Sequence, residues 1–133
     1  MIMSNKMVLA LVVSSSDSLQ DGLLALMTTI PQVSAVLVAE DVSSTLRMVA
    51  NHQPGLVVLD LSLPQIQDVI MQIKAQYPRI QLIVLAEDIT QGEAAGALRV
   101  DHVLIKGFSA QKLVTIVEKL TLNLEESHHR SAS

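Results

Sequence analysis

The 133-residue chain has no cysteine and no tryptophan. Without thiols there are no disulfides and no thiolate metal centres. A single tyrosine, Tyr77, and a single phenylalanine, Phe108, leave almost nothing to stack on a flavin or a base. No long run of one charge is present. Nine Lys and Arg stand against thirteen Asp and Glu, a formal charge of −4, which is not the basic footprint of a nucleic-acid binder. No apolar run approaches the ~18 residues of a membrane span. The apolar stretch after Lys6 covers only Met7 to Val13 before Ser14, Ser15 and Ser16 intervene. That is at the short limit for a signal-peptide core, and a small-residue cleavage site is lacking. Also missing are a GxGxxG turn after the first strand, a P-loop, and any evident Ser–His–Asp or Cys–His set. The reading is a cytoplasmic protein, not an enzyme, with neither nucleic acid nor membrane as a direct partner.

Half of the residues are hydrophobic, enough for a real core in a chain whose length fits one domain. With so few aromatics that core is aliphatic, and a β-branched, leucine-rich composition suits a parallel sheet covered on both faces. Four short apolar runs have strand character: Met7–Val13, Ala35–Val38, Leu56–Leu61 and Leu82–Leu85, with Val103–Ile105 a shorter fifth. Between them lie stretches with helical spacing. Asp17 with Gln20 reads as a capping box before Leu19, Leu23, Leu26, Met27 and Ile30, and Pro31 stops that helix. Asp41, Ser43 or Ser44 caps a second helix that buries Leu46, Val49 and Ala50. Pro64 precedes a third, with Ile66, Val69, Ile70 and Ile73 on one stripe, ended by Pro78. Thr90 with Glu93 opens a fourth, rich in small residues. It is expected to be the loosest element, because each of its two glycines costs about 1 kcal/mol against Ala. Ser109 caps a fifth, with Leu113, Ile116, Val117, Leu120 and Leu124 inward. Met27, Met48 and Met71 fall at apolar helical positions and are expected to fill the core. Strand–helix alternation of this length predicts an α/β fold, a five-stranded parallel sheet with right-handed crossovers and helices on both faces.

Two motifs narrow that reading. Pro54-Gly-Leu-Val-Val-Leu-Asp60-Leu-Ser-Leu-Pro64 resembles the third strand of response-regulator receiver domains, where an apolar strand ends in the phospho-accepting aspartate and a proline follows four residues later. Asp101-His-Val-Leu-Ile-Lys106-Gly-Phe108 resembles that family's fifth strand and its lysine. The resemblance covers roughly Lys6 to Leu122. It implies a flavodoxin-like (βα)5 receiver with strand order 2-1-3-4-5 over residues 6–124, and a flexible tail or linker start over 125–133.

The resemblance also implies a chemistry. A receiver takes a phosphoryl group from a histidine kinase onto a carboxylate. A divalent cation bridges the two like charges, held by two acids after the first strand and by a backbone carbonyl. A lysine neutralises further charge, and a Thr or Ser after the fourth strand meets the phosphoryl oxygen. Carried over by position, the acceptor is Asp60, the lysine is Lys106 and the carbonyl is that of Ser62. The acid pair falls on Ser14 and Ser15, the hydroxyl site on Ala86, the aromatic switch position on Val103, and the proline after the lysine on Gly107. Mg²⁺ needs one or two carboxylates, so Asp60 beside two serines is a weak site. Asp17, Glu87 and Asp88 are near enough in sequence to offer a substitute ligand.

Three readings follow. The first is a two-component receiver phosphorylated at Asp60, with a sensor histidine kinase as partner. The second is a receiver of the same fold that works through protein contacts, with Lys106 pairing Asp60 in place of phosphotransfer. The third, of another class, is a small flavodoxin-like ligand-binding domain, which the missing cradles disfavour. A homodimer is a plausible partner state. The chain is either a stand-alone receiver or one piece of a longer regulator with a DNA-binding output domain. Ser14–Ser16 reads either as a small oxyanion turn or as a plain loop capped by Asp17, the plain loop being favoured. His128-His129, in a polar stretch, is expected to bind nothing.

Overall fold

The computed structural model describes residues 7–132, with side chains described for 7–122. The strands are β1 (Val8–Val13), β2 (Val33–Ala39), β3 (Leu56–Asp60), β4 (Gln81–Ala86) and β5 (His102–Ile105). The helices are α1 (Asp17–Met27), α2 (Val42–His52), α3 (Ile66–Gln76), α4 (Ile89–Gly96) and α5 (Ala110–Ala132), one after each strand. All strand pairings are parallel, and the order across the sheet is β2-β1-β3-β4-β5. This is the flavodoxin-like architecture expected from the sequence.

Side-chain alternation along the strands divides the core in two. Val8, Ala10 and Val12 of β1 face Leu23 and Met27 of α1 and Leu113 and Val117 of α5. Leu11 and Val13 face the opposite way, toward Val49 of α2 and the Ile66, Val69, Ile70, Ile73 stripe of α3. The central strands are covered on both sides, which is why they read as continuous apolar runs rather than alternating ones.

Several helix starts differ from the sequence expectation. The N-cap of α1 is Ser16, whose side chain accepts from the Leu19 N–H at 3.3 Å, and Asp17 is the first helical residue. Gln20 does not complete a box; its amide reaches the Ser14 carbonyl. The N-cap of α4 is Asp88, accepting from the Gln91 N–H at 2.9 Å, rather than Thr90 with Glu93. In both places a good acceptor one or two residues upstream of the residue that the pattern suggested takes the cap. The α2 expectation resolves to Asp41, in a reciprocal capping box with Ser44. Along α2, Ala50 is exposed, and Thr45 is buried with its hydroxyl donated to the Asp41 carbonyl at 2.7 Å.

Met71 is 58% exposed, so it does not fill the core. It follows Ile70 directly, off the 66-69-70-73 stripe, and points away from the sheet. Met27 is fully buried and Met48 partly so. Ser109 caps α5 by accepting from the Lys112 N–H at 3.2 Å. Lys6 lies outside the described residues, as do the side chains of Leu124 and the His128-His129 pair.

Candidate functional site

Four chain segments leave the C-terminal edge of the sheet side by side. Asp60 is the last residue of β3, Ser14 follows β1, Glu87 follows β4 and Lys106 follows β5. Register aligns them: Val13 pairs with Leu59, Asp60 with Leu85, and Ala86 with Ile105. Because β2 lies on one side of β1 and β3 on the other, the strand order switches between β1 and β3, and this edge holds the crevice where open α/β sheets bind their ligands.

Asp60 is 3% exposed, so its carboxylate has lost most of its water and needs donors from the protein. It has three. Oδ1 receives the Lys106 ammonium at 2.8 Å and the Ser62 N–H at 3.0 Å. Oδ2 receives the Ser14 hydroxyl at 3.1 Å. Burial pushes the Asp60 carboxyl up, but the hydrogen bonds from Lys106 and Ser62 and the lysine charge outweigh it and hold the group below the ordinary aspartate value. Lys106 shows the mirror image: burial pulls it down, and its bonds to Asp60 and Glu87 carry it above the ordinary lysine value.

The ammonium of Lys106 has three donors. They meet Asp60 Oδ1 at 2.8 Å, Glu87 Oε2 at 2.5 Å and Ser62 Oγ at 3.1 Å. The Ser62 hydroxyl in turn donates to Glu87 Oε2 at 2.9 Å. Bonds from Lys106 first, and Ser62 second, hold the Glu87 carboxyl below its ordinary value. The site is thus a closed ring of two carboxylates, one ammonium and the Ser62 hydroxyl and N–H, with the Ser14 hydroxyl bound to Asp60 from outside it.

Ser14 and Ser15 separate. Ser14 is fully buried; besides donating to Asp60, its hydroxyl accepts from the Ser16 N–H at 3.1 Å, and its own N–H donates to the Ala39 carbonyl at 3.1 Å. Ser15 is exposed and makes no side-chain bond to Asp60. The Ser14–Ser16 turn therefore serves Asp60 and the α1 cap. Asp17 stays exposed on α1 and Asp88 is spent as the α4 cap, so of the three nearby acids only Glu87 reaches the site. Ser62 was named for its carbonyl alone; its N–H and hydroxyl both join, which its place two residues beyond Asp60 permits through an Asx-type turn.

Ala86 is fully buried and places a methyl where a hydroxyl was sought. Val103 is half-buried against α4. A Cβ added at Gly92 would lie 3.2 Å from Val103 Cγ1 and 3.2 Å from Ile105 Cδ1, so the helix approaches β5 closely at that glycine. Gly107 has φ of +98°, a conformation that proline's ring forbids.

The residues present do not fit a divalent cation. Both positions expected to supply acids are neutral, both oxygens of Asp60 already accept from the protein, and an ammonium sits between Asp60 and Glu87. Among the described residues no three His, Asp or Glu side chains gather as a metal-ligand group. Nor is any described helix long and apolar enough to cross a membrane.

Residues 10–118 match the family described as the response regulator receiver domain. No curated protein matches the chain. Among solved structures, the signal receiver domain of an HD domain-containing protein from Pseudomonas fluorescens Pf-5 aligns with a TM-score of 0.85 at 21% identity, over 98% of this chain and 98% of that one. NtrX from Brucella abortus aligns with a TM-score of 0.85 at 20% identity, over 95% of this chain. The match spans only 29% of NtrX's length. The isolated receiver domain of NtrX gives a TM-score of 0.76 at 21% identity, over 84% of this chain and 96% of that one. At such identities these structures speak for the fold.

Proposed function

The chain belongs to the response regulator receiver domain family of two-component signalling, and on that premise we propose that it is a receiver working through protein contacts, without phosphotransfer at Asp60. The observation that carries this reading is the way three protein donors hold the buried Asp60 carboxylate. Its oxygens accept from Lys106, Ser62 and Ser14, and the serine donor stands where the family resemblance calls for a metal-holding acid. A carboxylate attacks phosphorus through an oxygen lone pair. Here three protein donors occupy most of those lone-pair sites, and the second carboxylate at the site, Glu87, is itself bound by Lys106 and Ser62, so neither is free to draw in the cation that would screen the repulsion between carboxylate and phosphate.

Asp60 and Lys106 are on this reading a structural pair. A buried carboxylate requires a partner, and removal of Lys106 leaves the Asp60 charge without its cation. The partner is a signalling protein recognised by the surface of the module, a sensor histidine kinase or a second copy of this chain among them. An output domain is part of the reading only if the chain is a piece of a longer regulator.

A second reading has one observation in its favour: Asp60 and Lys106 themselves, retained at 2.8 Å. Phosphorylation at Asp60 would then proceed with a poorly held cation. Incubation with acetyl phosphate and Mg²⁺, followed by intact mass, separates the two. Our reading expects no adduct; a phosphoryl adduct that disappears in Asp60→Asn establishes the second.

A further inference from the structure

The sheet has two edges, and they are protected unequally. β5 is four residues long, sits between Asp101 and Lys106, and has α4 packed closely against Val103 and Ile105 at Gly92. Short length, flanking charges of this kind and a covering helix keep an edge from pairing with another chain. β2 is seven residues long, and Val33–Ala39 contains neither a charge nor a proline. Among the described residues no strand lies beyond it.

The Ala39 carbonyl accepts from the Ser14 N–H, so the backbone groups of Ala39 face β1. Backbone direction alternates along a strand, which turns the N–H and C=O of Val38, Val36 and Ser34 outward. The side chains along this edge are incompletely covered as well. Ala35 is exposed and Val36 only partly buried on the α1 face. On the α2 face, Leu37, Val42, Leu46 and Met48 are likewise only partly buried.

We propose that β2 is the interface for a second copy of this chain, pairing antiparallel with its counterpart about Val36 so that the sheet continues across two molecules. A two-fold there joins Val36 to the partner's Val36 and Val38 to the partner's Ser34, so every outward group is paired, in about six hydrogen bonds. Glu40 and Asp41 then lie opposite the partner's Gln32 and Pro31, and no acid faces another. A register centred on Val38 would instead set Glu40 against the partner's Val36. The two-fold stands perpendicular to the sheet, so α1 meets α1 and α2 meets α2. Seven strand residues and three layers of ~10 Å give an edge of ~23 Å by ~30 Å. Over both copies that is about 1,400 Å², within the range of specific, stable interfaces. The proposal adds one partner to the reading of the chain as a module of protein contacts, and draws on nothing at Asp60.

Sedimentation equilibrium of the full chain from ~1 μM to ~1 mM tests it, with amide hydrogen exchange read at Val36 and Val38. Wild type should dimerise with a Kd below about 100 μM, and exchange at both amides should slow at least about ten-fold as the dimer forms. Ala35→Lys and Ala35→Glu each add a charge at an exposed position. Each should unfold in urea like wild type, while its Kd weakens at least about ten-fold. In this register Ala35 lies diagonal to the partner's Ala35, ~7–8 Å away. An equal mixture of the two variants should therefore dimerise again. Wild type that stays monomeric up to ~1 mM overturns the proposal and leaves the edge to a foreign strand. A dimer that neither variant weakens, or whose Val36 and Val38 amides exchange as in the monomer, also overturns it. A mixture no tighter than either variant alone overturns the two-fold at Val36. A phosphoryl adduct from acetyl phosphate and Mg²⁺ overturns only the reading of Asp60 and leaves each of these outcomes as it stands.

Discussion

Removing the Lys106 ammonium tests how much of the domain's stability passes through the ring. In Lys106→Ala, the 2.8 Å contact to Asp60 is lost while the carboxylate stays in place, 3% exposed. At an effective dielectric near 20, the Coulomb attraction at that distance is about 6 kcal/mol before any cost is counted. Fixing the lysine side chain costs about 2 kcal/mol in rotamer freedom, and its dehydration removes part of the rest. Breaking a fully buried pair by deleting one partner typically costs about 3–5 kcal/mol. Lys106 is a quarter exposed, so water replaces some of the lost bond, and Ser14 and Ser62 still donate to Asp60. We expect a loss of about 2–3 kcal/mol at pH 7, or a fall in Tm of about 6–10 °C.

Urea unfolding at several pH values is the assay, with the m-value checked for constancy. The sign follows from the direction of each shift. Asp60 has a folded pKa below its unfolded one, so its contribution is complete above the ordinary carboxylate value of ~4 and is lost as pH falls through the depressed folded value. Lys106 has a raised folded pKa, so its contribution is complete below ~10.4 and is lost as pH rises through the folded value. The gap between wild type and Lys106→Ala should therefore be flat across neutral pH and close in acid. A Lys106→Ala protein within about 0.5 kcal/mol of wild type at pH 7, the ordinary range of a neutral surface change, would refute the reasoning.

Restoring the missing acids should do the opposite of stabilising. Ser14→Asp sets a second buried carboxylate against Asp60, so Tm should fall at neutral pH and recover in part when Mg²⁺ is added, measured by thermal unfolding with and without the ion. Gly22 lies in the middle of α1 with nothing near the position of an added Cβ, so Gly22→Ala should stabilise by about 1 kcal/mol in urea melts. Gly92→Ala meets Val103 and Ile105 at 3.2 Å and should lack that gain, leaving it less stable than Gly22→Ala. Asp101→Ala removes the carboxylate that accepts from the Leu82 N–H at 2.8 Å, and should cost about 1 kcal/mol in the same melts.

Which parts of this were legible in the sequence follows from the range of the forces involved. The sheet was legible because β1, β3 and β4 are buried on both faces, and apart from Asp60 and Gln81 at strand ends their residues are apolar over strand length. The α3 stripe was legible for the same local reason. Helix starts were less so: Ser16 competes with Asp17, and Asp88 with Thr90, and the winner depends on where the strand before it ends. Met71 shows that one residue of helical phase decides between core and solvent. At the site, the positions of Asp60 and Lys106 could be read from their motifs. The ring could not. Its bonds join residues up to 46 apart in sequence and depend on side-chain direction at four strand ends. Ser14 had the look of a lost ligand; in the fold it is a donor. Glu87 was one of three acids in range, and its selection over Asp17 and Asp88 depends on α1 and α4 having consumed or exposed the other two.

The central claim is that the carboxylate of Asp60 is already held by three donors of its own protein, one of them an ammonium, and is a poor ligand for a cation. A Mg²⁺ titration of the wild-type chain, followed at the Asp60 side-chain carboxyl carbon and the Ser62 amide by NMR, tests it most directly. The account predicts no saturable shift at either signal in the submillimolar range. Submillimolar binding at Asp60, with the Ser62 amide moving in step, would contradict it.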